Sequence, residues 1–131
     1  MNVSQKIILK NSAGKILALR RSVTDTLRPL TWDLPGGELE EGEDLLDNIR
    51  REIAEETGIS EVSDIKLHSA VANNNVKGEY WVGLGYTGRV KSPVVTLSFE
   101  HDEYRWLSKE KFLKLESSSK IKEFLRQLEA E

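Results

Sequence analysis

Residues 37–59 read GELEEGEDLLDNIRREIAEETGI, and no other stretch limits the fold as tightly. A polar, glycine-bearing lead-in runs into Asp44–Thr57, where Leu45, Leu46, Ile49 and Ile53 recur at helical spacing and Gly58 offers a C-terminal stop. An ideal helix turns by about 100° per residue, so with Glu52 at zero Glu55 falls near 300° and Glu56 near 40°. The apolar stripe covers about 20–120° on the same count. The acids therefore adjoin the buried seam, and Glu56 falls inside its edge, whereas a solvated acidic face sits opposite the seam. Clustered carboxylates at a buried edge repel one another and lose hydration. A divalent cation between them relieves both penalties. The plainer reading is an exposed face laced by the pairs Asp47–Arg51 and Arg51–Glu55. The glycines and the overlap with the seam weigh against it.

The rest of the chain supplies strands around that helix. Lys6–Leu9 is a short apolar run, Asn11–Gly14 a turn, and Lys15–Arg21 the second strand of a hairpin. Ser22–Thr31 reads as a loop, Trp32–Pro35 as a short extended piece before proline, and Gly36-Gly37 as a tight turn. Ile65–Ala72 and Glu79–Val90 read as strands joined by a turn around Asn73–Gly78. Pro93 interrupts; Thr96–Phe99 and Tyr104–Leu107 are further strand candidates. Ser108 caps a short helix through Leu115, and Ser117–Ser119 leads into a last helix carrying Ile121, Phe124, Leu125 and Leu128 on one side. Strands on both sides of a central helix, closed by another helix, predict an α/β chain with a mixed sheet between helical layers.

Composition narrows the chemistry. The 131 residues suit one domain with a real core. A net charge of -3 argues against wrapping nucleic acid by charge alone. With no cysteine, disulfides, zinc–thiolate sites and thiol nucleophiles are excluded. His68 and His101 are too few and too far apart for a histidine-rich metal site. The N-terminus has only a short apolar run, unlike a signal peptide, and no apolar run approaches membrane-spanning length, so a cytoplasmic protein is expected.

The 37–59 run also resembles the Nudix box, G-x5-E-x7-R-E-U-x-E-E-x-G-U, with U a bulky aliphatic. Gly37, Glu43, Arg51, Glu52, Ile53, Glu55, Glu56, Gly58 and Ile59 fill its positions. Matches at so many fixed positions arise by chance about once in a billion start points at average residue frequencies. WDLPG before the box, LRR earlier and E-x5-W-L-S later look like the small MutT-like members. The resemblance implies an α/β/α sandwich around a central mixed β-sheet, with the box as loop–helix–loop in a single domain over residues 1–131. It implies that water cleaves the diphosphate linkage of a nucleoside diphosphate joined to another group. It also implies Mg2+ as cofactor, often replaceable by Mn2+.

The family pattern carries over residue by residue. Glu52 and Glu56 are implied as principal metal ligands, with Glu55 joining directly or through water and the Gly37 carbonyl completing the shell. Hard cations take such oxygen donors. Glu100, six residues before Trp106, matches the distal metal-binding glutamate of MutT-like members, with Glu103 as its local competitor. Glu52, Glu55 and Glu100 all remain candidates for the general base. Arg51, counted with the catalytic set, and Glu43 look like support that holds the carboxylates in place. Gly58 reads chiefly as a cap.

Substrate contacts are expected from Arg20 and Arg21, of which strand alternation sends one to the site; Arg20 is preferred. Trp32, Tyr80 and Trp81 are candidates to stack on a base, though such residues are more often core. Asn73–Asn75 suit either a base edge or a turn. His68 is expected to be an ordinary strand residue, and His101 sits beside Glu100. The leading reading is a nucleotide diphosphatase acting on a nucleoside triphosphate, intact or oxidised as in 8-oxo-dGTP. ADP-ribose and dinucleoside polyphosphates are alternatives, weakened because the proline and tyrosine that mark those members past the box are missing. A non-catalytic nucleotide-sensing module generally loses box glutamates, and all are kept here. The missing cysteine opposes the isoprenoid isomerase branch, and no basic stripe is present to hold RNA. The expected partner is a small nucleotide, without membrane or nucleic-acid polymer, and with the protein a monomer or homodimer.

Overall fold

Strand β1 (Asn2–Lys10) organises the structure, a computed structural model that describes residues 2–91 and 94–128. Its residues alternate between two cores. Ile7 and Leu9 join Leu17 and Leu19 of β2 (Ile16–Arg21) against Ile49 and Ile53 of helix α1 (Leu45–Thr57). Ile8 joins Ile16 and Ala18 against Phe112 of α2 (Lys109–Leu113) and Ile121, Phe124 and Leu125 of α3 (Ser119–Arg126). Period-two alternation on the central strands therefore builds a sheet with one helical layer on each face.

The sheet has seven strands, in the order β3-β2-β1-β6-β5, with β4 also pairing β1 and β7 also pairing β2. β3 is Trp32–Asp33, β4 Gly36–Glu38, β5 Ser63–Asn74, β6 Tyr80–Arg89 and β7 His101–Leu107. β1 and β6 run parallel and the other pairs antiparallel, so the sheet is mixed, as the family resemblance implies. Asp44 caps α1 by accepting from Leu46 N and Asp47 N, and Gly58 ends it in the left-handed region at φ 74°.

Several expectations are corrected. Gly36-Gly37 is not a tight turn but strand β4, paired with Ser4–Lys6. Gly36, at φ 138°, passes so close to the Gln5 carbonyl that a Cβ there would overlap it. Thr96–Phe99 forms no strand, because Thr96 N donates to Thr57 O at the end of α1 rather than to a ladder. Leu45 and Leu46 are exposed, and the buried face of α1 runs instead through Asn48, Ile49, Ile53, Glu56 and Thr57. Pro93 lies outside the described residues.

Candidate active site

The buried face of α1 brings Glu56 with it. Glu56 is 4% exposed, and its Oε1 accepts from Gly36 N at 2.8 Å. One turn earlier, the Glu52 carboxylate lies against Gly37, where a Cβ would sit 2.7 Å from its carboxyl carbon. Gly37 is therefore bare because a carboxylate occupies the side-chain space. Burial pushes the Glu56 carboxyl up to about 8, with Asp33 and Glu52 adding repulsion and Lys6 opposing it. Burial also raises Glu52, which feels the charges of Glu55 and Glu100.

Arg51 organises the outer acids. Its guanidinium grips Glu43 through Nε and Nη2 at 3.0–3.1 Å and reaches Glu55 at 3.2 Å. Glu43 in turn accepts from Asn48 Nδ2 at 2.9 Å. Buried Asn48 accepts from Gln5 Nε2 at 2.9 Å, and Gln5 Oε1 accepts from Tyr86 OH at 2.6 Å. A continuous polar chain thus ties the loop before α1 to the sheet. Sequence reasoning missed Gln5, Asn48 and Tyr86, since each looks ordinary in its own element.

Glu100 stands just before β7, exposed, with its charge acting on Glu52. Its competitor Glu103 is engaged elsewhere, 2.8 Å from Arg105 Nε and 3.7 Å from Arg20. His101 is 7% exposed, and burial lowers its imidazole to about 4, so it is neutral at physiological pH. Its Nδ1 has no partner among the described residues.

The donor set suits a hard divalent cation in chemistry. The charge of Glu52 adds to the proton affinity of Glu56, and the Gly37 backbone passes within contact of Glu52. Among the described residues no three acidic or imidazole groups close a metal shell unaided. Glu55 is held by Arg51 and must leave it to join Glu52 and Glu56.

Beside the acids, on the α3 face of the sheet, opens a cavity of about 230 Å³ bordered by Gly37 and Glu38. Here the arginine expectation is corrected. Arg20 does not line the cavity; it is bound bidentately to Asp102 at 2.8 and 3.2 Å. Arg21 lines it, and pairs with Asp33 at 3.3 Å and Asp25 at 3.0 Å. A register shift between Arg20 and Arg21 in the β2–β7 ladder accompanies this reversal, and strand alternation alone cannot show it.

Trp32 is also corrected, being 6% exposed within the α3-side core with the Arg105 guanidinium 4.6 Å from its ring centroid. Tyr80 is 63% exposed and off the cavity, whereas Trp81 lines it. Asn73–Asn75 border the cavity, although Asn75 Oδ1 also accepts from Lys77 N and Glu79 N as a turn residue. His68 bonds Gln127 O at 2.9 Å and takes no part in the site. Lys6 and Lys120 were not singled out by sequence. Lys6 Nζ bonds Asp33 at 3.1 Å and the Leu34 and Gly36 carbonyls at 3.3 Å. A lysine two residues before Ile8, on the same face, was the available signal.

Comparison with known proteins agrees with this geometry. The family model described as NUDIX domain matches residues 2–128. An RNA pyrophosphohydrolase of Bartonella bacilliformis is 30% identical over 128 residues, covering 79% of this chain and 75% of that protein. The crystal structure of a MutT protein from Methanosarcina mazei Go1 superposes with a TM-score of 0.81 at 33% identity, covering 95% of this chain and 90% of that one. The NUDIX domain of Shewanella oneidensis NrtR, complexed with ADP ribose, shares the fold at a TM-score of 0.81 and 20% identity, covering 95% and 84%.

Proposed function

The chain belongs to the Nudix family and is a hydrolase of pyrophosphate bonds, and from that premise we propose that it is a divalent-metal-dependent diphosphatase of nucleoside triphosphates. The observation that carries this reading is the pair Glu52 and Glu56, held against Gly36 and Gly37, with Gly37 also bordering a cation-lined cavity. Glu52, Glu56 and the Gly37 carbonyl are the proposed holders of Mg2+ or Mn2+, with Glu55 and Glu100 completing the set. Such an ion supplies charge neutralisation for the diphosphate and a lowered pKa for water.

This chain's residues supply the rest. Water forms a new P–O bond to one phosphorus of the anhydride, and the bridging P–O bond breaks. The leaving phosphate keeps the bridging oxygen, and a glutamate takes the water's proton. Glu52, Glu55 and Glu100 are the proposed bases; Glu55 and Glu100 are the exposed ones. Arg51 holds Glu43 and Glu55 in position. Arg21 and Trp81 are the proposed substrate contacts, with Gly58 and Glu43 as supports. Most weight goes to a free nucleotide. The similarity to proteins named RNA pyrophosphohydrolase favours, as a second reading, the triphosphorylated 5′ end of RNA.

The test is a product assay over nucleoside triphosphates and a 5′-triphosphorylated oligoribonucleotide, with Mg2+ or Mn2+. Wild type is expected to release pyrophosphate or phosphate, and Glu56→Gln to lose at least 100-fold in kcat. Turnover unaffected by Glu56→Gln would sink the metal assignment.

A further inference from the structure

The cavity beside the acidic helix is lined by more cations than carboxylates. Lys6, Arg21, Arg28 and Lys120 all line it, against the carboxylates of Asp33 and Glu38. Asp33 is already shared between Lys6 and Arg21, and Glu38 is exposed. Lys120, half-buried on α3, has no carboxylate at bonding distance among the described residues; its Nζ donates to Ser4 Oγ at 2.9 Å. The Arg28 guanidinium, also half-buried, forms no ion pair among the described residues. Trp81 lines the same space with its Nε1 buried and without an acceptor. Desolvation first, then the charge of Lys6, lowers the Lys120 ammonium to about 8, with Arg21 and Arg28 adding repulsion.

The wall is thus built of donors. Polar groups removed from water need partners, and like charges need a counter-charge. A neutral nucleobase or sugar filling this space would leave Lys120 and Arg28 facing each other. An anion with many acceptor oxygens would engage both.

We infer that the cavity seats the terminal phosphoryl groups of the substrate, with Lys120 and Arg28 as the residues that select for them, so that the nucleoside points outward. The inference rests on the hydrolase reading above and narrows its substrate. Phosphate number is what the site reads, and base identity counts for little. Two sources share this chemistry: the tail of a free nucleoside triphosphate and the 5′ end of a triphosphorylated RNA. Lys120 reaches the cavity because β6 carries glycine where α3 crosses it. A Cβ on Gly83 would stand 2.8 Å from Lys120 Cδ.

Two measurements test this, one without turnover. Inorganic tripolyphosphate is titrated into metal-free protein by calorimetry. Wild type is expected to bind it, Lys120→Met and Arg28→Met to weaken binding at least 10-fold, and the exposed control Lys111→Met to leave it unchanged. Thermal melts of each variant exclude misfolding, and Arg28, on a loop, gives a second variant remote from the helical core. Equal tripolyphosphate binding by wild type, Lys120→Met and Arg28→Met would overturn the inference.

In the second measurement, kcat/KM with Mg2+ is compared for nucleoside triphosphates of different base, the matching nucleoside diphosphate sugar, and a 5′-triphosphorylated oligoribonucleotide. Exchange of base is expected to change kcat/KM less than 5-fold. Replacing the terminal phosphates by a neutral sugar is expected to lower it at least 10-fold. Lys120→Met should erase that preference through KM, on whichever triphosphate source is turned over. A strong base preference that survives Lys120→Met overturns the inference. Absence of turnover on every diphosphate would overturn the hydrolase assignment, while the tripolyphosphate titration still decides the cavity.

Discussion

At Glu56 the helix places a carboxyl where an aliphatic side chain would be at home. With its folded pKa raised to about 8 from an ordinary 4.5, the folded state holds a proton that the unfolded chain has released. The stability from this group is therefore present in full below about 4.5 and lost as pH rises through 8, on the order of 4 kcal/mol when metal is absent. Glu56→Gln keeps the acceptor for Gly36 N and removes the titration. In metal-free melts, wild type should lose stability from pH 5 to pH 9 while Glu56→Gln stays flat by comparison; parallel curves would refute the burial argument. His101 has the opposite sign. Its imidazole, lowered to about 4 by burial, stays neutral in the folded state while the unfolded chain takes up a proton below 6.5. It is expected to withdraw on the order of 3 kcal/mol between about 6.5 and 4, and His101→Leu should soften that acid limb. At Gly37 the expectation is kinetic. A Cβ would meet the Glu52 carboxyl at 2.7 Å, so Gly37→Ala should lower kcat at least 10-fold with little change in Tm. Unchanged kcat would show that Glu52 has room to spare.

Two elements work together where α3 crosses β6. Gly83, Gly85 and Trp81 share one face of β6, and Phe124 packs so tightly over Gly85 that a Cβ there would come within 2.8 Å of its ring. Gly85→Ala is expected to lift α3 and destabilise by about 1–3 kcal/mol, read from denaturant unfolding, because overpacking forces side chains off their rotamers. The alternation YWVGLGY marks β6 as a strand, but not which face α3 covers, because that depends on a helix more than thirty residues downstream. The α1–sheet contact behaves similarly. Asn48→Ala would remove one partner each from the Gln5 amide and from Glu43, costing about 1–3 kcal/mol in stability and weakening the Arg51 clamp. A loss confined to kcat with full stability would show that the chain of polar groups serves catalysis alone. Helix α1 was legible because an apolar stripe and a glycine stop coincide within a dozen residues, and α3 because a serine run leads into a stripe at helical spacing. Strand β4 was not, because glycine-glycine signals a turn locally and becomes a strand only when β1 supplies a ladder.

Across the molecule, the sheet separates two charge environments. Acids gather on the α1 side of Gly37, and cations on the α3 side around Lys6 and Lys120. Chelation of divalent ions should therefore abolish turnover and lower the melting temperature while leaving a cooperative transition, since both apolar cores form without the ion. Unfolding on chelation would mean that the metal is structural. The 37–59 run determined by itself the helix and its stop, because spacing along one helix converts directly into geometry, and through its resemblance to the Nudix box it pointed to the reaction class. Only the tertiary structure decided that Arg21 rather than Arg20 faces the cavity, that Trp32 is core, and that Lys6, Arg28 and Lys120 share one space. Those facts arise from a bulge and from packing between distant segments, and charges brought together through space leave no period along the chain.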